Sequence, residues 1–214
     1  MSPASGSVSA AQLPENDSAA ALPRGAEIVR IGHPALRNGT RNVPLDKIAT
    51  PVIDELIELL RATLEGKGVG LAAPQIAVPL RLFVIEDTEE RIQKISKKDR
   101  EKRERVPFPF EAVINPIWRA TSTEITIWPE GCLSIPGFVA EVPRYRAIEV
   151  EGFTRDGKAK TWKLTGWPAR IFQHEIDHLD GRLYIDCMQP RTLVSTEEFG
   201  RGAPGEWLQR LGLD

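Results

Sequence analysis

Two of the three histidines in this chain stand four residues apart, in the stretch Gln173-His174-Glu175-Ile176-Asp177-His178. This H-E-x-x-H spacing constrains the chain more than any other feature. Four residues of α-helix make just over one turn, a rise of roughly 6 Å, so both imidazoles leave one face. Two ring nitrogens so placed can grip one divalent cation, and Glu175 falls within reach of a water held on that cation. The flanks agree with a helix: Pro168 suits a first-turn position, and Gly181 can close the C-terminus in the left-handed region. Ile171, Phe172, Ile176 and Leu179 form an apolar, core-facing set. The competing reading is a buried amphipathic helix that happens to carry two histidines, and the Glu between them argues against it.

The rest of the chain bounds what such a site can serve. Its 214 residues suffice for one good core. With 41% apolar and 27% charged residues it has the composition of a soluble globular protein. A net charge of -2 argues against bulk nucleic-acid affinity and against an anionic-membrane role. No apolar run approaches the ~20 residues needed to cross a bilayer. Cys132 and Cys187, the two cysteines, make no disulfide framework and suit a reducing compartment. Residues 1–25 are Ser, Ala, Pro and Gly with few large side chains, so they read as a disordered segment. They lack the charged start and apolar run of a secretory signal, and a single arginine, Arg24, fits a transit peptide poorly.

Along the chain, residues 28–36 read as extended, with a turn at Gly32-His33-Pro34 and His33 on the surface. A helix follows Thr50-Pro51, with Val52, Ile53, Leu56, Leu59, Leu60 and Leu64 at helical spacing and Gly66 as its stop. Gly68-Val69-Gly70-Leu71-Ala72-Ala73-Pro74-Gln75 lets backbone approach a ligand closely and offers one amide, Gln75. Residues 81–85 read as a buried strand. Residues 86–105 are dense in balanced charge and read as a solvated helix or excursion. Residues 110–114 and 124–127 read as strands separated by a turn near Asn115-Pro116. Residues 146–153 and 159–164 form a hairpin about Asp156-Gly157. Residues 182–185 read as a last strand, and the tail, residues 195–214, is loop-rich with one short helix around Trp207.

Two histidines need a third ligand. A final histidine in the pattern H-E-x-x-H-x-x-G-x-x-H is absent, because Tyr184 holds its place. Glu198 lies at a plausible distance downstream but in a polar stretch with no second helix to aim it. Cys132, upstream beside Gly131, would complete a Cys-His-His set with one position open.

Three stretches, Gly68 to Gln75 as quoted, Glu130-Gly131-Cys132-Leu133-Ser134 and His174-Glu175-Ile176-Asp177-His178, resemble the motifs of peptide deformylases, in order. The likeness runs over residues 28–193, and Gly166-Trp167-Pro168-Ala169-Arg170-Ile171 is similar to the type that includes organellar and some bacterial members. It implies removal of the formyl group from N-terminal formylmethionine of newly made polypeptides, releasing formate. Metal-bound water would be the nucleophile and Glu175 the general base and acid. By the same resemblance the Gln75 side chain and the Leu133 N–H donate to the oxyanion, Gly70 bonds the substrate backbone, and Arg144 lies near the substrate. Cys132, His174 and His178 would hold the metal, with Fe2+ the native ion and Zn2+, Ni2+ or Co2+ able to replace it.

On a helix Ile171 and Arg170 lean toward the histidine face, so Ile171 should wall the methionine pocket, with Val69 and Trp128 as the other candidate walls. A buried Arg170 should be held by a carboxylate, or should keep its head at the pocket rim while its stem packs. The rivals are a closed structural zinc site using Cys132, His174, His178 and Cys187, and an endopeptidase with Glu198 as ligand. The expected fold is α+β, mostly antiparallel sheets packed around a central metal-binding helix, with a catalytic domain over residues 26–194. The resemblance is compatible with a homodimer, and with a cytoplasmic, mitochondrial or plastid site of action.

Overall fold

The computed structural model describes residues 25–199; the disorder expected before Gly25 and the helix expected around Trp207 lie outside them. Pro51 opens α1 (Pro51–Leu64), where its fixed φ and missing N–H cost nothing. Ile53, Ile57, Leu60 and Leu64 are buried along one stripe, and Gly66 sits at φ 72° just past the end. The short strand β1 (Gly70–Ala72) runs into a 3-10 turn over Ala73–Ile76 that carries Gln75, and then into β2 (Leu82–Asp87). The charged stretch folds as two short helices, α2 (Glu89–Gln93) and α3 (Lys97–Lys102), capped by the Thr88 and Ser96 hydroxyls. There follow β3 (Phe108–Ala120), β4 (Ile125–Cys132), β5 (Ile135–Tyr145), β6 (Ala147–Phe153) and β7 (Ala159–Thr165). The last elements among the described residues are α4 (Gly166–Leu179), α5 (Tyr184–Cys187) and β8 (Val194–Ser195).

The strands form two antiparallel sheets, β1-β2-β3-β6-β7 and β4-β5-β8. In β6, Ile148 and Val150 point into the core, as their alternation predicts. α4 touches strands of both sheets, and every residue from 168 to 179 is buried. Its anchor is Phe172, whose ring meets Phe83 at 5.3 Å, Phe108 at 5.7 Å and Trp162 at 6.0 Å. Each such ring pair stabilises by about 0.5–1.5 kcal/mol beyond the area it buries. The helix with the two histidines is therefore held in the interior, between the sheets.

Two expectations fail locally, and one strand has no counterpart in the sequence reading. No turn separates strands at Asn115-Pro116. β3 runs straight through with a bulge between Ile114 and Ile117, and Asn115 takes φ 51°. The Asn115 amide makes that conformation tolerable by bonding both the N–H and the carbonyl of Val43, each at 2.8 Å. Residues 182–185 are no strand: Tyr184 starts α5, and the Asp186 carboxylate accepts the Leu183 N–H at 2.7 Å. β5 escapes the sequence because Pro136, Gly137 and Pro143 punctuate it. Pro143 is tolerated since β8 pairs only with Phe138 and Val139, leaving β5 one-sided beyond them.

Candidate metal centre and active site

α4 buries six polar side chains, and each must find partners or cost free energy. The Arg170 guanidinium donates to Glu130 Oε1 at 2.6 Å and to the carbonyls of Val142 at 2.9 Å and Thr126 at 2.7 Å. Gln173 bonds both the N–H and the carbonyl of Tyr145. Asp177 accepts from Arg144 and, at 2.8 Å, from Arg182. His174 donates from Nδ1 to Glu130 Oε2 at 2.9 Å, which leaves its Nε2 lone pair available to a metal ion. His178 Nε2 lies 3.3 Å from Cys132 Sγ. Two groups are exceptions among the described residues: His178 Nδ1 has no hydrogen-bond partner, and the carboxylate of Glu175, 3% exposed, makes no hydrogen bond at all.

One donor atom each from Cys132, His174 and His178 lies within 4.8 Å of the other two. Burial opposes ionisation of the Cys132 thiol, but the two imidazoles beside it hold it well below its usual range, so the donor is a thiolate. Burial likewise opposes charge on Glu130, yet hydrogen bonds from His174 and Arg144 keep it far below the ordinary carboxylate range. One thiolate and two imidazoles, one of them braced by a buried carboxylate, fit a divalent cation of the softer first-row kind. Glu198 and Cys187 are outside this group; Cys187 Sγ instead lies 3.9 Å from Asp177 Oδ2.

Beside the three donors lies a slot of about 230 Å³ lined by Val69, Gly70, Gln75, Leu133, Ile171 and Glu175, together with Trp167. Larger clefts, of about 610, 660 and 370 Å³, are lined by none of the three donors. Burial pushes the Glu175 carboxyl up to about 7, against the pull of the two histidines. Gly70 is what admits it: a Cβ there would stand 2.3 Å from Glu175 Oε1. The Gln75 amide is fixed by accepting the Ala72 N–H on Oε1 at 2.9 Å, which turns Nε2 toward Ser134 Oγ at 3.2 Å and Cys132 Sγ at 3.5 Å.

The fold thus brings together Val69, Gly70, Gln75, Cys132, Leu133, Ile171, His174 and Glu175, with His178 behind them. Arg144 stands apart. It does not line the slot, because its guanidinium is spent on Glu130, at 3.0 Å twice, and on Asp177. Trp128 is likewise off the slot, with Lys102 and Arg103 stacked on its ring. Sequence reasoning passed over Glu130, although it stood two residues before the candidate thiolate. A carboxylate that close to one ligand and free to reach another was the available signal. Arg170 is paired with a carboxylate, as its burial required.

This geometry has counterparts. The model of the polypeptide deformylase family matches residues 26–193. The chain is 42% identical over 174 residues to the chloroplastic peptide deformylase 1A of Solanum lycopersicum, covering 81% of this chain and 63% of that protein. It is 34% identical over 174 residues to the mitochondrial peptide deformylase of Homo sapiens, covering 81% of this chain and 72% of the human one. The match to the Arabidopsis thaliana relative spans 65% of its length, so the chain covers under two thirds of both plant proteins. Among solved structures, the Met-Ala-Ser-bound class I type b peptide deformylase of Acinetobacter baumannii superposes with a TM-score of 0.67 at 27% identity, over 76% of this chain and 98% of that one. No helix among the described residues is long and apolar enough to cross a membrane. On the extent of the family match and the identity of its relatives, the chain belongs to the peptide deformylase family.

Proposed function

We propose that residues 26–194 form a metal-dependent hydrolase that removes the formyl group from the N-terminal formylmethionine of newly made polypeptides, releasing formate. The observation that carries this reading is Glu175, a buried carboxylate without a hydrogen-bond partner among the described residues, set in a slot beside three converging ligand atoms. A structural site would leave that costly group without a task.

Cys132, His174 and His178 would hold the cation, ferrous iron in this reading, with zinc, nickel or cobalt as replacements. Once bound, such an ion supplies Lewis acidity toward water and the formyl oxygen. Glu175 takes a proton from the attacking water onto its carboxylate and delivers it to the departing amine nitrogen as the formyl C–N bond breaks. A carboxyl pushed up to about 7 is matched to both halves of that transfer near neutral pH. Gln75 Nε2 and the Leu133 N–H donate to the formyl oxygen as it becomes negative. Gly70 offers backbone to the peptide, while Val69 and Ile171 wall the slot that takes the methionine side chain. Glu130 orients His174, and Arg144 and Arg170 hold Glu130 in place. The chain works as a monomer or homodimer in the cytosol, mitochondrion or plastid; relatives named chloroplastic and mitochondrial support the latter two.

The test is hydrolysis of matched peptides carrying N-formyl, N-acetyl or no N-terminal block. Formate release from the formylated peptide alone is expected; cleavage at internal bonds would point to an endopeptidase instead.

A further inference from the structure

Leu133 and Ser134 form the tight turn between β4 and β5, where the ladder closes at Cys132 and Ile135. Their carbonyls gain their bonds from a distant segment, residues 28–31. Arg30 Nη1 donates to the Leu133 carbonyl, and the Ile31 N–H donates to the Ser134 carbonyl at 2.9 Å. Two residues before Ile31, the Val29 N–H donates to the Gln75 carbonyl, also at 2.9 Å. This short extended run therefore bonds both loops that carry the oxyanion donors. It is anchored on two sides: Ile28 is buried in the core cluster of Leu71 and Ala73, while Val29 packs on the cluster of Ile135 and Cys132.

Several groups hold this turn on its Ser134 side, among them the Ile31 N–H and the Gln75 amide, whereas Arg30 holds the Leu133 carbonyl. The peptide unit joining Leu133 to Ser134 is planar, so its carbonyl and its N–H swing together. Arg30 holds the carbonyl end, and the Ser134 N–H donates to Cys132 Sγ at 3.4 Å. The preceding peptide unit carries the Leu133 N–H, which donates to no group among the described residues, and Leu133 is one of the residues that line the slot.

We propose that Arg30 is a positioning residue: by holding the Leu133 carbonyl it fixes the turn that presents the Leu133 N–H to the reacting oxygen. The inference rests on the deformylase reading for its kinetic consequence but not for its structural one. Loss of an oxyanion donor outright costs about 100-fold or more in kcat, and a loosened donor costs less.

The experiment compares the full, metal-loaded chain with its Arg30→Ala and Arg30→Lys variants. Arg30 is exposed, so neither change empties a core site. In Arg30→Ala, kcat for a formylmethionyl tripeptide should fall about tenfold with KM within about twofold. Arg30→Lys, which keeps a donor, should recover most of the loss. Amide hydrogen exchange at Ser134 should quicken about tenfold in Arg30→Ala while that of the α4 core amides stays unchanged. A rise in KM at constant kcat overturns the proposal, as does unaltered exchange at Ser134. If the unmodified chain releases no formate, the functional reading falls, and the Ser134 exchange alone decides the role of Arg30.

Discussion

Replacing Gly70 with Ala should disable the site without unfolding the protein. Gly70 is not among the glycines in the left-handed region, so an alanine backbone fits there. The added methyl, however, would stand 2.3 Å from Glu175 Oε1, 2.7 Å from its Cδ and 3.0 Å from its Cγ. Contact between such atoms is comfortable only near 3.5 Å, so the carboxylate has to retreat by about 1 Å. A displacement of that size at a reacting group costs about 100-fold in rate. Glu175→Ala should cost ~100-fold or more by itself, with metal content intact, because Glu175 moves protons and is not a ligand. The two changes act on one carboxylate, so in the Glu175→Ala background Gly70→Ala should cost little more. Formate release by the four proteins of this cycle, each assayed at equal metal content, gives the coupling. Equal losses from Gly70→Ala in both backgrounds would refute the steric argument and assign Gly70 solely to the substrate backbone. Metal loss in Glu175→Ala would make Glu175 a ligand and end the role given to it.

Cys132→Ala should lose tight metal binding, whereas Cys187→Ala, which lies outside the three-donor group, should keep both metal and activity; metal loss from the Cys187 variant would revive a closed structural site. Glu130→Gln leaves Arg144 and Arg170 buried against a neutral amide, so denaturant unfolding should show a loss of about 3–5 kcal/mol. The same variant should weaken metal affinity by about 10–100-fold in chelator competition, through the freed His174, and unchanged values on both counts would contradict the bracing role. Ile171→Trp should fill much of the 230 Å³ slot and raise KM for formylmethionyl peptides with metal content unaltered; unchanged kinetics would move the methionine pocket elsewhere.

What was legible in the sequence is what depends on neighbours along the chain. The histidine spacing, the stripe of Ile53, Leu60 and Leu64, and the alternation of Ile148 and Val150 are all local periodicities, and each reappears as an element, although Val52, counted in the same stripe, faces solvent and Ile57, not counted, is buried. That Cys132 would join the two histidines was legible by elimination and by the quoted motif, and the fold does bring the three donors together. The bracing network was not, because its members are far apart: Glu130 and Arg170 are separated by 40 residues and meet only once β4 packs against α4. Burial of Arg170 demanded some carboxylate, yet nothing local says which. Arg144 shows the same limit in reverse. The family resemblance suggests a place near the substrate for it, and only the fold shows that its guanidinium is bonded to Glu130 and Asp177. The short run at 182–185 was ambiguous between strand and helix, and the Asp186 bond to the Leu183 N–H settles it as a helix start.

The central claim is that one divalent ion on Cys132, His174 and His178 and the proton transfer by Glu175 act together on a formyl group. Metal content and formate release measured on one anaerobically purified sample address it most directly. The account predicts about one divalent ion per chain, set by one three-donor site, and formate release that falls with chelation and returns with the ion. A chain stripped of metal that still releases formate at its full rate would contradict it, as would a fully loaded chain that releases none.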